Sequence, residues 1–177
     1  SSSGQHSLVG TAPATQSLSD AAAACLEAEP AERPGFDYSG MSARTVDTLH
    51  VAERMIREAR RDYVIAVAQA VSIAHEELCG GVVQNLHNSK HGNRGEAAFC
   101  AWCASVGVGR RTAYNLLQVD ALMQGATPEE QAVLEQASPS LLYAAAKPSA
   151  PAELVQGVKE GSITTHKQYQ ELLKENQ

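Results

Sequence analysis

The chain has 177 residues, enough for one domain with a buried core, and 44% of them are hydrophobic. Alanine is abundant, aromatic residues are few and β-branched residues seldom run together, which favours packed helices over a sheet. The net charge of −6 excludes a protein that is basic throughout, and no apolar run approaches the roughly 20 residues of a membrane-spanning helix. We therefore expect an all-α protein.

Charge is unevenly distributed along the chain. Residues 1–43 hold one basic residue against five acidic ones, and residues 124–177 hold four against seven. Between residues 87 and 123 the balance reverses, with four basic residues against Glu96 and Asp120. The basic residues of this stretch are Lys90, Arg94, Arg110 and Arg111. A local basic surplus in an acidic chain indicates a confined contact with an anionic partner.

Residues 1–40 are rich in Ser, Ala, Gly, Thr and Pro and predict a flexible acidic tail. The tail has neither the charged start nor the apolar core of a secretory signal, which predicts a cytoplasmic protein. The cysteines then belong to a reducing environment and are not expected to form disulfides. They are Cys25, Cys79, Cys100 and Cys103.

Residues 41–95 are predicted to form a long helix and a connecting loop. From Ser42 to Leu78 apolar residues recur at steps of three and four, Gly80 and Gly81 end the helix, and residues 88–95 form a polar loop. The apolar stripe requires a partner, either inside the monomer or across a dimer seam, and its alanines allow a close helix crossing. The stripe consists of Leu49, Ala52, Ile56, Ala59, Tyr63, Ala66, Ala70 and Ile73.

The segment 96–123 predicts a helix-turn-helix. In its first helix, Glu96–Val106, the expected inward residues are Phe99, Trp102, Cys103 and Val106. Gly107 suits the tight turn, and Arg110–Met123 forms the second helix. The steep crossing requires a small residue at Cys103, an apolar residue at Val108 to fill the turn, and inward Ala113 and Leu116.

The outward side chains of the second helix have the chemistry to recognise DNA. Arg can bind guanine O6 and N7, Asn and Gln can bind adenine N6 and N7, and Thr can contact phosphate or the thymine methyl group. Phosphate contacts are also expected from Lys90 and Arg94 in the preceding loop. The candidate DNA-binding residues on the helix are Arg110, Arg111, Thr112, Tyr114, Asn115 and Gln118.

The stretch from Phe99 to Val119 resembles the helix-turn-helix of ParB/KorB-type partition and regulatory proteins. It resembles more closely a small uncharacterised domain family encoded on phages, plasmids and integrative elements, over about residues 45–173, including Lys90-His91-Gly92. The resemblance implies recognition of operator or centromere-like DNA through the matched residues Arg110, Arg111, Thr112, Asn115 and Gln118. The nucleotide-binding motif of ParB is missing, so no nucleotide cofactor is expected.

Residues 124–177 predict a cluster of short helices that supports the second helix of the motif. Thr127-Pro128-Glu129-Glu130 and Ser138-Pro139 are helix starts, Ala152–Glu160 forms a helix ended by Gly161, and Thr164 or Thr165 caps a last one. Lys147, Lys159 and Lys167 offer further phosphate contacts, although plain scaffolding explains the region equally well.

Two alternatives involve site chemistry. His87, His91, Cys100 and Cys103 are the ligand types of a zinc site, but the cysteines fall inside a predicted amphipathic helix, which argues against it. Cys79 with His75, or Cys100 with His91, are possible nucleophile and base pairs without an identifiable third residue. No glycine-rich phosphate loop is present.

We expect a non-enzymatic, sequence-specific binder of duplex DNA, located in the cytoplasm with the nucleoid. Recognition of two half-sites predicts a homodimer, since one short helix gives little specificity. Its expected role is transcriptional regulation or plasmid partition or replication on a mobile element. The main alternative is an adaptor or inhibitor that binds a protein through the long helix or the acidic tail and does not bind DNA.

Overall fold

The computed structural model describes residues 35–80 and 94–176, with the side chain of Arg94 excepted. Within these ranges the protein has seven α-helices and no strand, which confirms the all-α expectation. No helix in the described ranges is long and apolar enough to cross a membrane. The helices are α1 Ala43–Cys79, α2 Arg94–Ser105, α3 Arg110–Gln124, α4 Pro128–Leu134, α5 Pro139–Ala146, α6 Ala152–Glu160 and α7 His166–Glu175.

Two parts of the chain lie outside the described residues: most of the acidic tail, and residues 81–93, which include most of the predicted polar loop. The predicted loop extended to residue 95, but α2 already begins at Arg94. Gly95 explains the early start of the helix. A Cβ atom at this position would lie 2.6 Å from the carbonyl oxygen of Leu78, so only glycine lets α2 begin directly against the end of α1.

Helix α1 has the predicted length. Its first turn is capped by Ser42, whose hydroxyl accepts a hydrogen bond from the backbone N–H of Thr45 at 3.2 Å, and Gly80 follows its last residue. The residues that pack inward, however, are Val64, Ala68 and Val71. These follow one another at steps of four and three, so they form a face of their own.

The apolar stripe predicted from the sequence lies on the other side of α1. Ile56 is 56% exposed, Tyr63 is 38% exposed and Ile73 is 71% exposed. No described residue of the same chain therefore covers these three side chains. The sequence left the burial of the stripe open because α1 is apolar on two faces, and periodicity alone does not tell which face the body of the same chain covers.

Two clusters of buried side chains hold the helices together. The first joins the inner face of α1 to α2 and α3, and includes Tyr143 from α5. The second joins the end of α3 to helices α4 to α7. Because Leu116 and Val119 belong to the first cluster and Met123 to the second, α3 connects the two clusters.

The C-terminal helices begin where the sequence predicts. Thr127 and Glu130 form a reciprocal capping box at the start of α4, with hydrogen bonds of 2.9 and 3.1 Å. Ser138 caps α5, and Thr165 caps α7. Each cap satisfies backbone N–H groups that a helix start leaves without partners, and this local chemistry makes such starts predictable.

Candidate nucleic-acid interface

The turn between α2 and α3 has the glycine conformation and the buried apolar residue that the sequence predicts. Gly107 adopts the left-handed conformation at φ 83°, which glycine takes without strain. The backbone N–H of Val108 donates to the carbonyl oxygen of Cys103 at 2.8 Å, and the Val108 side chain is buried. The turn therefore fixes α3 relative to α2 through one backbone hydrogen bond and one apolar contact.

The two helices meet through the small and apolar residues that were predicted to face inward. Cys103, Ala113 and Leu116 are each at most 1% exposed. Phe99 is fully buried and packs edge-on against the ring of Tyr114, with centroids 5.8 Å apart. The inward orientation of these residues is confirmed.

Two further residues were predicted to face inward, and for them the prediction is wrong. Trp102 is 36% exposed and Val106 is 52% exposed. Helix α2 is packed by α1 and α3, and these neighbours cover the side that carries Phe99 and Cys103. The buried stripe on α2 is thus narrower than the apolar stripe in its sequence.

Helix α3 presents polar residues on the side away from its core contacts. Arg111, Asn115 and Gln118 follow one another at steps of four and three and therefore share one side of the helix, which we call the outer face of α3. Arg111 is exposed, and Asn115 and Gln118 are partly exposed. Arg110, which is exposed, and Thr112, which is partly exposed, lie in the first turn.

The N-terminus of α3 carries no acidic residue in its first turn and no side-chain cap, since Gly109 occupies the capping position. The first amides of the helix are then not used by a capping side chain, and they point in the direction of the helix axis. Together with Arg110 and Arg111 they make this end of α3 positive. An oxyanion such as a phosphate group matches this environment.

Tyr114 was a candidate DNA contact, but its hydroxyl is engaged inside the protein. It donates a short hydrogen bond to one carboxylate oxygen of Glu96, and the other oxygen lies 3.0 Å from Nε2 of His75. Sγ of Cys100 lies 4.0 Å from the same hydroxyl. We call Glu96, Tyr114 and His75 the Glu96 network. It links α1, α2 and α3, so Tyr114 is better explained as a positioning residue for α3 than as a base contact.

The Glu96 network changes the acidity of its members. The hydrogen bond from Tyr114 lowers the pKa of Glu96, with a smaller contribution from His75, although partial burial opposes it. The same hydrogen bond raises the pKa of Tyr114. Both shifts keep Glu96 ionised and Tyr114 neutral around neutral pH, so the hydrogen bond from Tyr114 to Glu96 is maintained there.

We expect Tyr114→Phe to destabilise the protein by about 1–2 kcal/mol, because the substitution removes a hydrogen bond to a charged group that is partly exposed. The wild-type contribution of Glu96 is present above the ordinary pKa of a glutamate and is lost as the pH falls through the lowered folded value. Urea unfolding between pH 7 and pH 3 checks both statements. A Tyr114→Phe curve that loses stability towards acid as steeply as the wild type would contradict the assigned role of this bond.

The described residues include only half of the alternative zinc-ligand set, Cys100 and Cys103. His87 and His91 lie outside the described residues, and Cys103 is fully buried in the first cluster, where burial raises the pKa of its thiol. Among the described residues, His75, Cys79 and Glu96 do have donor atoms within 4.8 Å of one another. The hydrogen bond between His75 and Glu96, and the one that Tyr114 donates to Glu96, account for the position of the carboxylate.

Cys79 does not have the properties of an activated nucleophile. Burial raises the pKa of its thiol to about 11, and the nearby Glu96 carboxylate adds to this shift. A catalytic cysteine requires the opposite, a lowered pKa and a positive environment. The pairing of Cys79 with His75 therefore has no support as a catalytic pair, and the His91 that was considered for Cys100 lies outside the described residues.

Sequence reasoning missed a groove between α1 and the C-terminal helices, of about 350 Å³. Arg54, Arg57 and Arg61 line it, and their steps of three and four were the available signal. Arg61 is held by Asp62 at 3.1 Å, and Glu58 also lines the groove. These two carboxylates offset much of the positive charge, so the groove is less basic than its arginines suggest.

Two of the phosphate contacts predicted from the sequence, Lys90 and Arg94, belong to the loop predicted before the helix-turn-helix. Lys90 lies outside the described residues, and Arg94 is described only as the first residue of α2.

No protein-family model, curated protein or solved structure matches this chain.

Proposed function

We propose that the chain binds duplex DNA sequence-specifically, with α3 as its reading helix. The observation that carries the proposal is the outer face of α3, where Arg111, Asn115 and Gln118 stand on one side of a helix whose opposite side is buried. Arginine and amide side chains are the ones that form paired hydrogen bonds to guanine and adenine in the major groove. The fixed position of α3 supports such a role, because base recognition requires a rigid element.

The role we propose for the chain is regulation of transcription, or partition or replication of a mobile element, without catalysis. The proposed reading helix begins at a positive N-terminus, whereas the rest of the chain is acidic. This distribution of charge suits a confined contact with one major groove. On this proposal the chain is cytoplasmic and associated with the nucleoid.

The test is binding of the purified chain to DNA fragments selected from a random pool, measured over a salt series. Each phosphate contact contributes about −0.9 to the slope of log affinity against log salt, so a few contacts through Arg110, Arg111 and the amides of α3 give a slope of about −2 to −4. No enrichment of any sequence, or an affinity independent of salt, would reject the proposal.

A second candidate function is that of an adaptor that binds a protein. The exposed apolar stripe of α1 favours it, because an uncovered apolar face commonly marks a protein contact. The stripe and the outer face of α3 lie on different helices, so their contributions separate in mutagenesis. Loss of a partner protein on changing the stripe, without any DNA binding in the wild type, would favour the adaptor.

A further inference from the structure

The first half of α1 contributes no side chain to the buried clusters. Over residues 43–60 no side chain is buried, and the helix nevertheless continues unbroken to Cys79. A helical segment of this length is marginal in water without packing. Its apolar residues Val51, Met55 and Ile56 are 45%, 64% and 56% exposed.

The exposed stripe of α1 has the period of a coiled coil. Its residues alternate in steps of three and four from Leu49 to Ile73, which is a heptad repeat that averages 3.5 residues. A repeat of this kind keeps the apolar residues of one helix in contact with a second helix that winds around it. The inner face of α1 already packs on its own chain, and within the described residues no stripe residue is buried, so the stripe can meet another molecule.

We propose that this stripe binds the same stripe of a second copy of the chain, with the two α1 helices antiparallel. The inference does not depend on DNA binding. Side-chain size and charge determine the orientation and the register of this homodimer seam.

The sizes of the stripe residues favour the antiparallel orientation. One set of heptad positions holds the large residues Leu49, Ile56 and Tyr63, and the alternate set holds alanines at 52, 59 and 66. In an antiparallel pair each layer joins one position of each set, so every layer between Leu49 and Ala66 combines a large residue with an alanine. A parallel pair would place large opposite large and alanine opposite alanine, which leaves crowded layers next to empty ones.

One register satisfies size and charge together. It places Ile56 opposite the partner's Ala59 and Tyr63 opposite the partner's Ala52. The same register places Glu53 beside the partner's Arg60 on the edge of the seam, and symmetry makes this pair twice. Such a pairing adds to the contacts that each side chain makes within its own chain.

Neighbouring registers are disfavoured by like charges. A shift of one heptad in one direction places Arg60 opposite the partner's Arg60 and Asp62 opposite the partner's Asp62. A shift in the other direction places Glu53 opposite the partner's Glu53. Like charges at these flanking positions oppose association, so the charge pattern selects the register. The overlap then runs from Ala43 to about Ser72, about 45 Å at 1.5 Å per residue.

The first experiment measures the mass of the full chain in solution without DNA, by sedimentation at micromolar concentrations. The wild type is expected to be a dimer, and Ile56→Asp a monomer whose association is at least about 100-fold weaker, because the new carboxylate would be buried in the seam. Ile56 is exposed in the single chain, so the substitution should leave the buried clusters intact, and any loss of helical circular dichroism should not exceed the signal of residues 43–60. Val51→Asp is the matched control, on the same helix and exposed but outside the stripe, and it should stay dimeric.

The second experiment tests orientation and register by charge reversal. Glu53→Arg alone and Arg60→Glu alone should each weaken the dimer, and the double variant should restore it towards the wild-type affinity. In a parallel pair these two residues do not face each other across the seam, so restoration would be absent. A monomeric wild type, an undisturbed dimer in Ile56→Asp, equal disruption by Val51→Asp, or no restoration by the double variant would overturn the proposal.

Discussion

Arg111→Ala is expected to lower the affinity for the selected DNA site by about 10- to 100-fold, because the variant loses a paired hydrogen bond to a base, which is worth about 1–3 kcal/mol. Arg111 is exposed and lies on the outer face of α3, where its removal breaks no packing. Fluorescence anisotropy with a labelled duplex measures the affinity. The loss should be much smaller on unrelated DNA, where the guanidinium can only contact phosphate.

Gln124→Ala is the matched control for this measurement. Gln124 is the last residue of α3 and is exposed, but it is remote from the N-terminal half of the helix, so its substitution should leave affinity unchanged. Asn115→Ala should resemble Arg111→Ala and relax the preference at a different base pair. Unchanged affinity in both Arg111→Ala and Asn115→Ala, with wild-type circular dichroism, would remove α3 as the reading helix.

The helix boundaries were largely predictable because the signals that set them are local. A hydroxyl that accepts a backbone N–H three residues later requires only a serine or threonine at the cap, as at Ser42 and Thr165. The signal for the turn at Gly107 is equally local, since the left-handed conformation depends on one residue. These features need no knowledge of which helix packs on which.

The faces of α1 and α2 were less predictable, because burial depends on the neighbours of a helix. Ile73 fits an apolar stripe as well as Val71 does, yet Val71 is 1% exposed and Ile73 is 71% exposed. Because α1 has two apolar faces, the periodicity of its sequence fits either face as the buried one. Which of the two faces is buried becomes visible only when α1 is packed against α2 and α3.

The Glu96 network could not be derived from the sequence. Glu96 and Tyr114 are 18 residues apart, and His75 is 21 residues from Glu96. No spacing rule links them, because they meet only when α1, α2 and α3 pack together. The candidate reading residues were easier to name, since Arg111, Asn115 and Gln118 belong to a single helix.

The inner and outer sides of α2 can be distinguished by two aromatic substitutions. Phe99→Ala is expected to destabilise the protein by about 3–5 kcal/mol, because it empties a fully buried site between α1 and α3. The Phe99 ring also packs edge-on against His75, with centroids 4.8 Å apart, so its loss loosens the Glu96 network as well. Urea unfolding measures the change.

Trp102→Ala is the comparison variant, because it removes a larger aromatic side chain from the outer side of the same helix. Tryptophan is the larger side chain and was predicted from the sequence to face inward, so periodicity alone predicts a loss at least as large as that of Phe99→Ala. Its 36% exposure instead predicts a smaller destabilisation, of about 1–2 kcal/mol, because the substitution empties no enclosed site. If Trp102→Ala cost as much as Phe99→Ala, α2 would have to be rotated from its described position. The side of α2 that supports α3 would then be a different one.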